Sequence, residues 1–366
     1  MNPGAALWRY VLADILTDEV LHPALPLQEV EFGPALNGPG SFRAELKPRF
    51  VKANPTLLSN GPTALYAVRD TQIRDGYMIW RAAPEGEVYQ IEGAGWPSYL
   101  QYRHDTHGEL NGRGPYVNAD PCRIIRDVWD YAREAADGDI RVLVDEASSP
   151  ARVGTNEQPI TYPSWSAPRL GDIIDTHVQT ADHPEYTHTV DTDSAGRPVR
   201  RIPLAYPRLG RRRTDITFAT GVNIIQAPPV VYDYERYANA VIGLGAGEGV
   251  SAIRSDDSVR DGRLRLEGVL SRTDIADQSL LNSLTRATRT ARQQLGAVEQ
   301  IVVRDHKAAP ALSWQVGDDV RVTVHDTWTD LDTWMRITGW TCRPATDTFV
   351  IDLEPSGSFT YGSTVG

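Results

Sequence analysis

Over the first hundred residues, apolar and polar positions alternate in short runs punctuated by Gly, Pro, Asn and Asp, which predicts a meander of strands. Residues 8–14 read as a strand. Residues 26–32 alternate less cleanly through Leu27, Val30 and Phe32. Asn37-Gly-Pro-Gly40 signals a hairpin, and residues 41–46 return with Phe42, Ala44 and Leu46 on one face. Further strand-like runs lie at 64–69, 77–81, 88–92 and 99–103, and this many short strands indicates a barrel or sandwich.

The period then changes. Asp120-Pro121 opens a helix with a capping carboxylate and proline at the first helical position. Ile124, Ile125, Val128, Trp129 and Ala132 form its apolar stripe, and Gly138 ends it. Residues 148–168, rich in Ser, Pro, Thr and Gly, read as an exposed loop. A short helix over 170–179 and two strands within 186–204, joined through Asp193-Ser-Ala-Gly196, complete an α/β insert. Asp274 is placed to cap the longest helix, about 274–296, where Leu280, Leu281, Leu284, Ala287, Thr288, Ala291 and Leu295 recur at helical spacing and Gly296 stops it. Arg286, Arg289 and Arg292 lie on its other face. The end of the chain returns to period two: a turn at 314–318, then strands through Val320, Val322 and Val324, through 334–342, and through Phe349, Ile351 and Leu353. The pattern gives a β-rich α+β fold without a solenoid repeat.

A chain of 366 residues with 41% apolar composition buries a substantial core and divides into two or three domains. The net charge of −11 argues against a surface that coats duplex nucleic acid, which draws on clustered Lys and Arg. The one basic run, Arg211-Arg-Arg213, lies between Gly210 and a strand-like 214–218 and reads as a solvated turn. Cys122 and Cys342 match no metal-ligand spacing, and a reduced protein assembled in the cytoplasm is expected. No basic segment precedes an apolar run at the N-terminus, and no apolar segment approaches the roughly 18 residues of a membrane span, so neither a signal peptide nor a membrane-embedded chain is expected.

The residues that suggest chemistry mostly fail its requirements. Residues 240–249, Ala-Val-Ile-Gly-Leu-Gly-Ala-Gly-Glu-Gly, resemble a dinucleotide loop, but the third glycine of G-x-G-x-x-G falls on Glu248 in one register and Val250 in the other. Gly243, Gly245, Gly247 and Gly249 are therefore read as structural glycines, letting a strand kink or subunits approach closely. His104-Asp-Thr-His107-Gly-Glu109 has histidines three apart rather than the four that aim two imidazoles from a helix at one zinc, and a polar loop is the expected reading. His183 and His188 are five apart with a proline between them. Neither a G-x-S-x-G elbow nor a phosphate loop of the G-x-x-x-x-G-K-[ST] type is present. Asp70/Asp75 and Asp256/Asp257 read as turn residues, and Trp96, Trp129, Trp165 and Trp314 as core or interface aromatics before sugar-stacking ones. No catalytic, cofactor-binding or metal-binding residue is assigned. Many arginines and aromatics suit a protein that works through contacts.

The order of elements resembles that of actinobacterial siphophage minor tail proteins that form the tail-tip, or baseplate, hub. The resemblance rests on residues 27–42, Leu-Gln-Glu-Val-Glu-Phe-Gly-Pro-Ala-Leu-Asn-Gly-Pro-Gly-Ser-Phe, and on the Asp127-Val-Trp-Asp-Tyr131 helix. It rests also on the glycine-rich 240–249 followed by the long helix, and on Val316-Gly-Asp-Asp-Val320. Lysine confined to positions 47, 52 and 307 fits the high-GC coding bias of such a source. The resemblance implies two β-barrel-like domains with the α/β insert between them, at 1–118, 119–215 and 216–366. It implies a homotrimeric virion protein, assembled in the host cytoplasm, that continues the tail tube at the tail tip. Its partners would be a distal tail protein or the last tail-tube ring, the tape-measure protein and other minor tail or fibre proteins, with DNA passing through without specific binding. A fibre or cell-wall-degrading region would reside on another polypeptide. Two other functions stay open: a tail-borne cell-wall hydrolase using the His104–Glu109 cluster, and a glycan-binding receptor protein using exposed tryptophans.

Overall fold

The computed structural model describes residues 8–59, 61–178, 184–226, 234–235, 237–273, 275, 277–293, 298–325, 327 and 330–356. The N-terminal meander is β1 (Trp8–Asp14), β2 (Val20–His22), β3 (Gln28–Ala35), β4 (Gly38–Leu46), the short helix α1 (Pro48–Ala53), β5 (Thr63–Arg69), β6 (Gln72–Glu85) and β7 (Val88–Ala94). Its pairings are antiparallel, and Phe42, Ala44 and Leu46 share a buried face as the alternation predicts. The hairpin signal at 37–40 resolves differently: Ala35 pairs with Gly38, so the turn is Leu36-Asn37, with Asn37 at φ 52°, and Gly38 to Gly40 begin β4. The strand expected at 99–103 is a 3₁₀ helix, Trp96–Tyr102. Pro97 takes its first turn, and the buried Trp96 and Leu100 fall four apart, a helical rather than an alternating spacing.

The insert contains the one-turn segment α2 (Glu109–Gly112), α3 (Pro121–Glu134), β8 (Val142–Val144), α4 (Leu170–Val178), β9 (Glu185–Tyr186), β10 (Thr189–Thr192), β11 (Pro198–Ile202) and β12 (Leu204–Ala205). Asp120 caps α3 by accepting a bond from the Cys122 amide at 2.8 Å, and every residue of the expected stripe is buried. The turn joining β10 to β11 closes through the Asp193 carboxylate, which accepts from the Ala195 and Arg197 amides. Strand β11 pairs antiparallel with β10 and parallel with β8, while β12 pairs with β9.

The remainder is β13 (Arg212–Ala219), β14 (Ile224–Gln226), β15 (Ala240–Leu244), β16 (Arg254–Ser258), β17 (Glu267–Ser271), α5 (Gln278–Arg292), β18 (Gln300–Arg304), β19 (Asp319–His325), β20 (Asp330–Arg343) and β21 (Thr348–Pro355). Helix α5 is shorter than the 274–296 expected, and Asp274, Leu295 and Gly296 fall outside the described residues. Strands β15 to β17 form a separate three-stranded sheet under α5.

The two barrel-like domains are not seen as closed barrels among the described residues. The described strands of the large sheet form an open path, β14-β18-β21-β20-β3-β4-β7-β6-β5-β1-β2, with β13 and β19 branching from β20, and none of the described strands closes it into a barrel. The long strand β20 makes the join: Gly339 pairs with Ala35 and Cys342 with Phe32 of β3, while β19 and β21 pair along its remaining edges. Gly33 permits this crossing, because a Cβ there would overlap the Trp340 carbonyl oxygen. One apolar cluster accordingly holds residues from both ends of the chain, among them Phe32, Phe42, Tyr77, Phe218, Trp314, Ile337 and Phe349. A second joins the back of the N-terminal strands to the insert through Tyr66, Met78, Trp96, Ile125, Trp129 and Ile202. A third is only Ile275, Leu281 and Leu284.

Candidate functional site: the junction of three chain segments

Two buried arginines fasten the insert to the rest of the molecule. Arg200 of β11, 2% exposed, bonds the Tyr66 hydroxyl from Nε at 3.0 Å, donates to the Ile15 and Ile140 carbonyls at 3.1 and 2.6 Å, and pairs with Asp18. Its guanidinium lies 5.3 Å from the Trp96 ring. Arg336 of β20, also 2% exposed, forms a two-pronged pair with Glu185 of β9 and reaches Glu354 at 3.3 Å. Burial alone would lower the Arg336 pKa, but the Glu185 and Glu354 carboxylates together outweigh it and the net shift is upward. The Glu185 carboxylate also accepts from the Leu209 amide at 2.8 Å, so one ion pair holds β9, β20 and the chain entering β13.

Beside these pairs Asp75 and His188 lie buried together, with Nε2 3.3 Å from Oδ1. Asp75 accepts from the Gly76 amide at 2.8 Å and the Tyr77 hydroxyl at 2.6 Å, and the His188 ring packs edge-on to Tyr77. Burial, with the Asp75 charge added, pushes the Tyr77 hydroxyl well above its ordinary pKa, so it remains a donor. A cavity of about 290 Å³ opens here, lined from β3 by Pro34, from β6 by Arg74 and Asp75, from the insert by His188 to Asp191, and from the C-terminal part by Trp314, Gln315 and Trp340.

Gly243, Gly245, Gly247 and Gly249 lie along β15 and its exit. A Cβ on Gly243 would overlap the Thr285 hydroxyl of α5, whereas one on Gly245 would lie 2.7 Å from the Ile275 carbonyl oxygen. Gly247 has φ 114° against the backbone of Ala252, while Gly249, at φ 58°, faces open space. A Cβ at three of the four would overlap a neighbour: α5 at Gly243, Ile253 and Ile275 at Gly245, and the following loop backbone at Gly247.

The His104–Glu109 cluster is knitted into a loop. His104 Nδ1 lies 2.8 Å from the Ala167 carbonyl and His107 Nδ1 2.9 Å from the Tyr131 hydroxyl, while a Glu109 carboxylate oxygen accepts from the Tyr162 amide at 3.2 Å. Fully buried Asp105 organises the turn by accepting from the amides of His107, Gly108 and Leu110. Glu109, Leu110 and Asn111 all have positive φ, so α2 is a left-handed turn, which costs roughly 1–2 kcal/mol per residue. Among the described residues no group of three or more His, Cys, Asp or Glu is arranged to hold a metal ion. His183 lies outside the described residues.

Other expectations need correction. Asp75 is no turn residue but sits inside β6, and Asp256 and Asp257 lie in β16, paired with Arg254 and Arg289. The arginine triplet is not a solvated turn: Arg212 and Arg213 begin β13, and Arg213, 8% exposed, binds Asp215 and the buried Asp318. Burial raises the Asp318 pKa against the lowering effect of the Arg211 and Gln315 amides and of Arg213. Trp96, Trp129 and Trp314 are buried, leaving Trp165, at 86% exposed, as the accessible one of the four. Cys122 and Cys342 are free and buried, and burial pushes the Cys122 thiol up to about 12. No helix of the described residues is long and apolar enough to cross a membrane.

No protein-family model and no curated protein sequence matches this chain. Solved structures do, over nearly its full length. The 43 kDa tail protein of prophage MuSo2 from Shewanella oneidensis superposes with a TM-score of 0.60 at 11% identity, covering 95% of this chain and 97% of that one. A tail protein from Neisseria meningitidis gives 0.54 at 12%, covering 96% and 97%, and a prophage tail protein from Listeria monocytogenes gives 0.53 at 12%, covering 95% of each. The fold is that of phage tail proteins. At such low identity the phage tail-protein fold is carried by topology and burial pattern, with few side chains in common.

Proposed function

We propose that this chain is a structural component of a phage tail and forms the tail-tip hub: a homotrimeric ring that continues the tail tube and links it to the distal tail protein and to tip or fibre proteins. The observation that carries the reading is end-to-end coverage. Some 95–96% of this chain matches 95–97% of three tail proteins, so the agreement is not confined to a single shared sheet. In this reading the strands within 1–118 and within 216–366 serve as the two barrel-like units of the ring. Ejected DNA passes through the centre, and the net charge of −11 repels it from the wall. Immunogold labelling of assembled particles with antibody against this chain tests the placement. Label at the tail tip is expected, and label along the tail shaft or on the capsid would count against it.

A further inference from the structure

We propose that the junction cavity is a binding site for a small oxyanion. Buried polar atoms are almost always hydrogen-bonded, and those left without a protein partner indicate what else must occupy the space beside them. Among the described residues ten buried side-chain nitrogen or oxygen atoms have no hydrogen-bond partner, and four belong to residues lining this cavity: Arg74 Nε, Trp314 Nε1 and the two ring nitrogens of His188, of which Nε2 has only the Asp75 carboxylate nearby, at 3.3 Å. His188 and Trp314 are 1% and 3% exposed. The Arg and Trp nitrogens can only donate, whereas a neutral imidazole has one donor and one acceptor nitrogen, and the His188 Nε2 lies 3.3 Å from Asp75 Oδ1. The unmet demand of Arg74 and Trp314 is thus for acceptors, supplied by one group carrying several oxygens.

The charges around the cavity agree. Arg74 has no ion pair with a carboxylate among the described residues. The Asp75 oxygens already accept from the Gly76 amide and the Tyr77 hydroxyl and face His188, and Asp191 at the rim pairs with Arg201 at 2.8 Å, so neither carboxylate is left bare against an anion. A volume of about 290 Å³ holds a phosphate or a small carboxylate with bridging waters, each water taking roughly 30 Å³. The half-buried Arg74 and the exposed Asp191 and Gln315 give the ligand a way in from solvent. Because the walls come from the N-terminal strands, the insert and the C-terminal strands, a bound anion would clamp all three.

The test is thermal unfolding of the full chain in inorganic phosphate, in acetate, and in chloride at matched ionic strength, beside Arg74→Gln and Trp314→Phe. The wild type is expected to show a saturable rise in midpoint with phosphate or acetate over chloride, following mass action. Each variant should weaken the apparent affinity at least about tenfold, the size expected for a lost charge-assisted bond. Response to phosphate alone would assign a tetrahedral anion, and response to acetate alone a planar one. No rise above chloride with either anion, a rise that never saturates, or an equal rise in Arg74→Gln would overturn the proposal. Should Trp314→Phe fail to fold, Arg74→Gln, whose side chain is only half-buried, carries the comparison.

Discussion

The large sheet and the small layer of β15–β17 with α5 both cover a sheet face, but to very different depths. The large sheet draws aromatic and aliphatic residues from both ends of the chain into one cluster, with Phe32, Trp314, Trp340 and Phe349 packed edge to face. Among the described residues the small layer's apolar cluster is Ile275, Leu281 and Leu284, with half-buried Ile253 and Leu270 against it, and the outer sheet face leaves Leu244 at 37% and Val269 at 56% exposed. Glycines work in both regions and differ in what they face. Gly33 faces the backbone of β20, which cannot yield, whereas Gly243 faces the tip of one side chain on α5. The residue type says only that space is short, and its neighbour decides how much a substitution costs.

Four substitutions turn that contrast into measurements. Gly33→Ala should have the largest effect, because the new methyl overlaps a strand-to-strand crossing that joins the two ends of the chain. A loss above about 4 kcal/mol, or no soluble protein, is expected in denaturant unfolding. Glu185→Ala comes next, stranding the buried Arg336 guanidinium. Roughly 3–5 kcal/mol should be lost, and a loss under about 1 kcal/mol would mean that the insert is held by its apolar contacts alone. Gly243→Ala should cost about 1–3 kcal/mol by overpacking against Thr285, and adding Thr285→Ala should restore most of it in a double-mutant cycle. Gly249→Ala should be the mildest, about 1 kcal/mol or less, since only the positive φ opposes it. Equal costs at Gly33 and Gly243 would dissolve the contrast between the regions.

Where the sequence was informative, the signal was periodic and local. Val320, Val322 and Val324 alternate because β19 has one fully buried face, and the stripe from Ile124 to Ala132 repeats because α3 presents one face to the insert core. The junction carries no such period. Arg200 and Arg336 look like surface residues until partners 182 and 151 positions away bury them, and Asp75 looks like a turn residue until Tyr77 and His188 close over it. Gly33 lies in a strand the alternation marks, but its crossing depends on a strand more than 300 residues later in the chain. The 3₁₀ helix at 96–102 was misread because Tyr99, Leu100 and Tyr102 carry strand propensity, while Gly95, Pro97 and the burial of Trp96 decide the backbone.

The central claim is the ring. Light scattering on the purified chain, with negative-stain images of the same peak, tests it most directly. The hub account predicts three times the 40.5 kDa chain mass and a three-fold ring with a central opening. A compact monomer that stays monomeric when mixed with its own tail-tube and distal tail proteins would contradict it.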